Sequence, residues 1–105
     1  MDARQGDAEG LYYLGCLYDK GWGVTQDYGK ARKHHKMAAK QGDANAQNHL
    51  GSLYQQGLGV TQDYGKARNY FETAAKQGDA SALNNLRVLY QNGLGVAQDY
   101  EQARK

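Results

Sequence analysis

Three histidines and a single cysteine are the side chains of this 105-residue sequence best suited to bind a metal or move a proton. His34 and His35 are adjacent, and neighbours on a helix point about 100° apart, so the two rings cannot hold one ion together. No cysteine or carboxylate stands at ligand spacing from His49, and a structural metal site needs about four ligands. We therefore predict no metal and no cofactor, and we interpret His35 as a partly buried replacement for an aromatic residue.

Cys16 and His49 are the one pair that could combine a nucleophile with a base, if the helices that carry them are neighbours. No second base completes a triad, and no serine stands in a nucleophile motif. The Gly-Leu-Gly-Val segments lead into no Gly-Lys-Ser or Gly-Lys-Thr sequence and follow a helix instead of a strand, so they are not phosphate loops. The residues therefore predict no catalytic site, and Cys16 is expected to be a small apolar filler or an exposed neutral position.

The charge of the chain argues against two classes of partner. Lys and Arg number 13 and Asp and Glu number 11, which leaves a formal charge of +2 with no block of one sign. Nucleic-acid and membrane surfaces need clustered basic residues, so neither partner is predicted. No apolar run reaches the roughly 20 residues that span a bilayer, and a single cysteine excludes an internal disulfide.

An internal repeat with a period of about 36 residues must position these side chains. The motif Gln-Gly-Asp-Ala occurs at 5–8, 41–44 and 77–80. We predict one domain over residues 1–105, with a truncated third unit and units at about 5–40, 41–76 and 77–105. One unit cannot bury both of its faces alone, so the units must stack on each other.

Each unit is predicted to contain two helices, which we name helix A and helix B. Asp7 is a good N-cap for a helix A over Ala8–Lys20, because its carboxylate can accept hydrogen bonds from the free N–H groups of the first turn. Gly21 can take the left-handed conformation that stops this helix. Asp27 is the corresponding N-cap for a helix B over Tyr28–Lys40. The pattern predicts an all-α fold, built as a solenoid of antiparallel helix–turn–helix repeats.

The apolar positions within a unit have distinct expected roles. Leu14, Leu17 and Tyr18 share one face of helix A and recur in both later units, as core positions should. Val24 is expected to tuck the loop between the helices against the pair. Trp22 is expected to be a larger filler at the edge of the first unit or, if it is exposed to solvent, a contact for a partner.

Two segments of the second unit carry the pattern of a known family, LGSLYQQGLGV at 50–60 and YFETAAKQGDA at 70–80. They resemble the Sel-1-like repeat, a relative of the tetratricopeptide repeat, and the resemblance covers essentially the whole chain. It implies a right-handed superhelix of helix pairs that serves as a scaffold or adaptor in protein complexes. Some family members are reported as β-lactamase-like, which makes such a hydrolase the remote alternative, but their repeats carry paired cysteines that this chain lacks.

The outer units depart from the family pattern. His34-His35 stands where the family usually has an aromatic pair, as at Tyr70-Phe71. Arg87 replaces a glycine found at Gly15 and Gly51, where a small residue lets neighbouring helices approach closely. With its last unit truncated, the chain is alternatively a structural fragment of a longer array, or a homo-oligomer that covers its open C-terminal end by self-association.

Five side chains at variable positions of the A helices are the predicted binding residues: Tyr13, Asn48, His49, Gln56 and Asn85. The A helices line the concave side of such solenoids, where a peptide lies. Asn and Gln can donate and accept hydrogen bonds to a peptide backbone, and Tyr adds apolar contact at low entropic cost. We therefore predict a scaffold for a protein or peptide partner, the alternative being that these positions are only solvated.

Overall fold

The computed structural model describes residues 7–93, and within that range the chain forms helices and no strand. Its helices are α1 (Ala8–Lys20), α2 (Tyr28–Lys40), α3 (Ala44–Gln56), α4 (Tyr64–Lys76) and α5 (Ala80–Asn92). The predicted bounds of the first helix A and the first helix B are confirmed. α1, α3 and α5 are A helices, and α2 and α4 are B helices.

Some predictions fall beyond this range. The first two residues of the Gln5-Gly6-Asp7-Ala8 motif lie outside the described residues. The helix B of the third unit and the open C-terminal end do so too. The division of one domain into units at about 5–40, 41–76 and 77–105 therefore stays a prediction.

Local hydrogen bonds at the helix ends set the helix bounds. An aspartate caps each of the five helices between residues 7 and 93, and its Oδ1 accepts a backbone N–H of the first turn at 2.9–3.1 Å. A cap of this kind stabilises a helix by about 1 kcal/mol. Each of the three A helices ends at a left-handed glycine, as at Gly57 with φ 69°. Because these signals are local, the same residues produce the same helix wherever they recur within residues 7–93.

A glycine on each of the first two A helices lies under a ring from the following helix B. An ideal Cβ on Gly51 would lie 2.5 Å from the Phe71 ring, and one on Gly15 would lie 2.6 Å from the His35 ring. Both rings are fully buried. The predicted close approach of the helices at these glycines is confirmed. The expectation of a partly buried His35 is wrong, because Gly15 leaves enough space for the whole ring to lie between the helices.

The core is a succession of small clusters, each joining three consecutive helices. Leu11, Ala38 and Ala46 join α1, α2 and α3, and a second cluster around Phe71 joins α3, α4 and α5. The fold is therefore an all-α solenoid of helix–turn–helix repeats, in which each unit packs on its neighbours. None of the helices within residues 7–93 is long and apolar enough to cross a membrane.

The loop between helices A and B packs differently in the first and second units. In the second unit Val60 packs against the core, and an ideal Cβ on Gly59 would lie 2.7 Å from the backbone of Tyr28 in α2. In the first unit Val24 is 37% exposed and Trp22 is 60% exposed. The expectations that Val24 anchors its loop and that Trp22 is a filler are wrong, because this loop needs a preceding unit to pack on and residues 7–93 provide none.

Candidate functional site

Successive A helices contact each other through one repeated pair of positions. The ring of Tyr12 in α1 meets the ring of His49 in α3 edge-on, with centroids 5.2 Å apart. One period later, Nδ2 of Asn85 in α5 donates a hydrogen bond to Oδ1 of Asn48 in α3 at 3.0 Å. Tyr12 and Asn48 occupy the same repeat position, as do His49 and Asn85. The stacking therefore produces a row of polar and aromatic side chains along the A helices.

We call the predicted binding residues Tyr13, Asn48, His49, Gln56 and Asn85 the helix A surface. The structure pairs Asn48 with Asn85, and His49 and Gln56 line one open cavity of about 260 Å³. Tyr13 occupies the repeat position of His49 in the first unit but is 61% exposed. It is exposed because no A helix precedes α1 within the described residues, whereas α1 itself covers His49.

A buried hydrogen bond inside the first unit was not expected from the sequence. Nε2 of His35 lies 2.9 Å from Oδ2 of Asp19. The Asp19 side chain is only 11% exposed, and its Oδ1 is buried with no hydrogen-bond partner within residues 7–93. The equivalent residues of the second unit are Phe71 and Gln55. The signal that could have revealed the pair is this double change, since one unit replaces both an aromatic residue and a neutral amide by ionisable groups.

His49 faces this pair from α3. Its ring centroid lies 5.0 Å from that of His35, and its Nδ1 lies 3.2 Å from the carbonyl oxygen of Asn45. Burial, followed by the nearby charge of His35, lowers the pKa of His49. The lowered pKa favours the neutral ring. Its Nδ1 donates to the carbonyl oxygen, and its Nε2 carries the lone pair.

Cys16 completes the group of ionisable side chains between α1 and α3. Its Sγ, a carboxylate oxygen of Asp19 and a ring nitrogen of His49 all lie within 4.8 Å of one another. The expected proximity of Cys16 and His49 is confirmed, but the expectation that no cysteine or carboxylate stands at ligand spacing from His49 is wrong. That expectation considered spacing along the chain, whereas the ligand spacing arises because α1 lies beside α3.

The environment of Cys16 does not activate it as a nucleophile. Burial raises the pKa of its thiol, and a hydrogen bond with Tyr12 only opposes that shift. Reactive cysteines have a lowered pKa, because the thiolate is the nucleophilic form. The raised pKa therefore disfavours the thiolate form that a nucleophilic cysteine needs.

Comparison with known proteins gives a family match. The profile of the Sel1 repeat matches residues 8–43, 44–79 and 80–105. Among solved structures, the chain is similar to a Sel1 repeat protein from Oxalobacter formigenes, with 33% identity and a TM-score of 0.90. It is also similar to c5321, a protective antigen of uropathogenic Escherichia coli strains that displays an SLR fold, with 40% identity and a TM-score of 0.95. Cysteine rich protein B of Helicobacter pylori shares 29% identity at a TM-score of 0.68.

The three similar structures are all longer than this chain. The alignments cover 94%, 97% and 71% of this chain, but only 41%, 22% and 56% of the respective relatives. The chain therefore spans less than two thirds of each of them. The comparison with curated protein sequences gave no match.

Proposed function

The chain belongs to the Sel1 repeat family, whose members are commonly protein-interaction scaffolds, and we propose that it binds a protein or peptide partner on its concave helix A surface. An extended segment of the partner would lie along the row of side chains that the stacked A helices present. Stacked repeats suit this role because neighbouring units hold one another in place. Catalysis is not part of the proposal, since Sel1 repeat proteins are generally non-catalytic scaffolds.

The pair formed by Asn48 and Asn85 is the observation that supports this function most directly. Each side-chain amide has a donor group and an acceptor group, and the mutual hydrogen bond uses Asn85 Nδ2 and Asn48 Oδ1. Asn48 Nδ2 and Asn85 Oδ1 are left to bond a carbonyl oxygen and an N–H of a peptide main chain. Because the two amides already hold each other, binding a peptide costs them less side-chain entropy.

Tyr13 and Gln56 extend this polar centre in two directions. Tyr13 is 61% exposed, and tyrosine is one of the residues that most often contribute large binding energies at interfaces. Gln56 lines the cavity of about 260 Å³ together with Asp19 and Lys20. That cavity carries one residue of each charge sign, so it suits a polar side chain of the partner.

The alternative of self-association through the C-terminal end has weaker support in the described residues. The exposed apolar side chains of α5 are Leu83, which is 41% exposed, and Val88, which is 37% exposed. At five residues apart they point about 140° away from each other on a helix. They therefore form no single apolar face on which a second copy could pack.

A library of displayed random peptides, selected against the full chain, tests the proposed function. Selected peptides are titrated against the wild type, against Tyr13→Ala/Asn85→Ala, and against Asn69→Ala. Asn69→Ala is the matched control, because it removes an exposed amide from α4 instead of from an A helix. We expect the double variant to bind at least about tenfold more weakly, or about 1.4 kcal/mol, and the control to bind like the wild type.

Circular dichroism first establishes that the three proteins are equally helical. Equal affinity of the selected peptides for all three proteins would place the binding site away from the helix A surface. A selection that enriches no peptide at all would contradict a peptide-binding function.

A further inference from the structure

A thiol sulfur, a carboxylate oxygen and an imidazole nitrogen lie close together where α1 lies beside α3. Cys16 and Asp19 are three residues apart on α1, so their side chains share one face of that helix, and His49 reaches them from α3. Their donor atoms all lie within 4.8 Å of one another. The ligand atoms of a tetrahedral Zn²⁺ site lie about 3.3–3.7 Å apart, so side-chain movements of about 1 Å would bring the three donors to bonding distance.

We propose that Cys16, Asp19 and His49 form a binding site for a divalent transition-metal ion, with Zn²⁺ as the best match. A thiolate, an imidazole and a carboxylate are ligands that Zn²⁺ accepts together, whereas Mg²⁺ and Ca²⁺ prefer oxygen ligands alone. Three protein ligands leave the fourth tetrahedral position for water or an external ligand. This inference does not depend on the proposed peptide binding.

Neighbouring groups already orient two of the three ligands. The hydrogen bond from His35 occupies Oδ2 of Asp19 and leaves Oδ1, which is buried and has no hydrogen-bond partner within residues 7–93. The hydrogen bond of His49 Nδ1 to the carbonyl oxygen of Asn45 leaves Nε2 with the lone pair. Metal-binding histidines commonly donate their second ring N–H in this way, and metal-binding carboxylates are commonly hydrogen-bonded as well.

Asp19 Oδ1 is buried with no hydrogen-bond partner within residues 7–93, as is Nδ1 of the His35 ring that bonds the same carboxylate. Buried polar atoms in native proteins almost always have a partner, because leaving one without a partner is destabilising. A metal ion bound through Oδ1 would supply that partner. The cavity of about 260 Å³ that Asp19 and His49 line opens to solvent, so an ion has an access path. Binding releases the thiol proton of Cys16 to solvent as the thiolate–metal bond forms.

The next contact along the solenoid shows that the fold does not require these ligands. The residues equivalent to Cys16, Asp19 and His49 one period later are Ser52, Gln55 and Asn85. This second set has no thiolate, carboxylate or imidazole, yet α3 and α5 stack there in the same way. The residues at the equivalent positions, Ser52 and Asn85, therefore indicate conservative substitutions with which to test the site, namely Cys16→Ser and His49→Asn.

The test uses the full chain without an affinity tag, freed of metal by a chelator and kept reduced. Zn²⁺ is titrated by calorimetry and Co²⁺ by absorption spectroscopy. We expect one ion per chain, a Kd for Zn²⁺ of about 1 μM or tighter, and a thiolate-to-cobalt charge-transfer band. Cys16→Ser and His49→Asn should each weaken binding at least about 100-fold. His34→Gln is the matched control and should bind like the wild type, because His34 bonds the carbonyl oxygen of Lys30 and lies outside the cluster.

A wild-type chain that takes up no Zn²⁺ saturably would overturn the proposal. It would also be overturned by Cys16→Ser binding as tightly as the wild type, or by one ion binding per two chains, because all three ligands come from one chain. If a variant loses helicity, a measurement on the wild type alone still tests the proposed metal site. Zn²⁺ must then slow the alkylation of Cys16 by a thiol reagent at least about tenfold, and an unchanged alkylation rate contradicts the site.

Discussion

His35 and Asp19 form a buried hydrogen-bonded pair in the first unit. Substituting these residues singly and together tests whether they stabilise the fold as a pair. Replacing His35 by Phe and Asp19 by Gln, singly and together, installs the residues that the second unit carries as Phe71 and Gln55. A phenyl ring fits the site, because an ideal Cβ on Gly15 lies 2.6 Å from the present ring and the equivalent distance in the second unit is 2.5 Å. The double variant therefore has, at these two positions of the first unit, the same side chains as the second unit.

The expected changes in the free energy of unfolding follow from the contacts of His35 and Asp19. His35→Phe removes the partner of Oδ2 in a carboxylate that is 11% exposed, and an unpaired buried polar group costs about 1–3 kcal/mol. Asp19→Gln loses a hydrogen bond to a charged group, which also contributes about 1.5–3 kcal/mol. The double variant removes both partners and should be within about 1 kcal/mol of the wild type. The two substitutions should thus show a favourable coupling energy of at least about 1.5 kcal/mol.

Urea unfolding followed by far-ultraviolet circular dichroism at pH 7 measures these free energies. A chelator is present throughout, so that a bound metal ion cannot contribute to the stability of the wild type. For a domain of this size, each 1 kcal/mol corresponds to about 4–8 °C in Tm, which thermal unfolding checks independently. A coupling energy below about 0.5 kcal/mol, the usual limit of additivity, would refute the reasoning that these residues stabilise the fold as a pair.

Two further predictions concern the loop contact and the response to pH. Gly59 and Gly23 share a φ of 75°, but an added Cβ on Gly59 would lie 2.7 Å from the Tyr28 backbone, whereas one on Gly23 meets nothing within 4 Å. Gly59→Ala should therefore lose about 1–3 kcal/mol more than Gly23→Ala in urea unfolding, and equal losses would contradict the contact. Burial and a neighbouring charge hold the pKa of His49 below its ordinary 6.5. Its contribution to stability is thus complete above about pH 6.5 and is lost as the pH falls towards the folded-state pKa. In that pH window the free energy of unfolding of the wild type should fall more than that of His49→Gln. Parallel curves of this free energy against pH for the two proteins would exclude a contribution of His49 to the pH dependence.

The ends of the helices could be predicted from the sequence because the interactions that set them are local. Asp7 and Asp27 cap helices whose bounds agree with the predicted ranges, and Gly21 ends α1 in the left-handed conformation. A cap depends on atoms within one turn of the chain, so residue type and spacing suffice to place it. The repeat period then extends the same bounds to the later units.

The candidate site could be predicted only in part. Position in the repeat placed Asn48 and Asn85 on A helices, but not the hydrogen bond that joins them. The comparison of Cys16 with His49 anticipated that the two lie close together. The third member, Asp19, was not predicted, because its place in the cluster depends on α1 lying beside α3.

The sequence by itself determined the helices, their caps and the repeat, because each of these depends on neighbours along the chain. Only the tertiary structure decided which equivalent positions are buried, paired or exposed. Stacking α1 beside α3 brings Cys16 and Asp19 to His49, and the absence of a preceding unit within the described residues leaves Tyr13 and Trp22 exposed. Contacts between units depend on the side chains that the adjacent unit supplies, and spacing within one unit carries no information about those contacts.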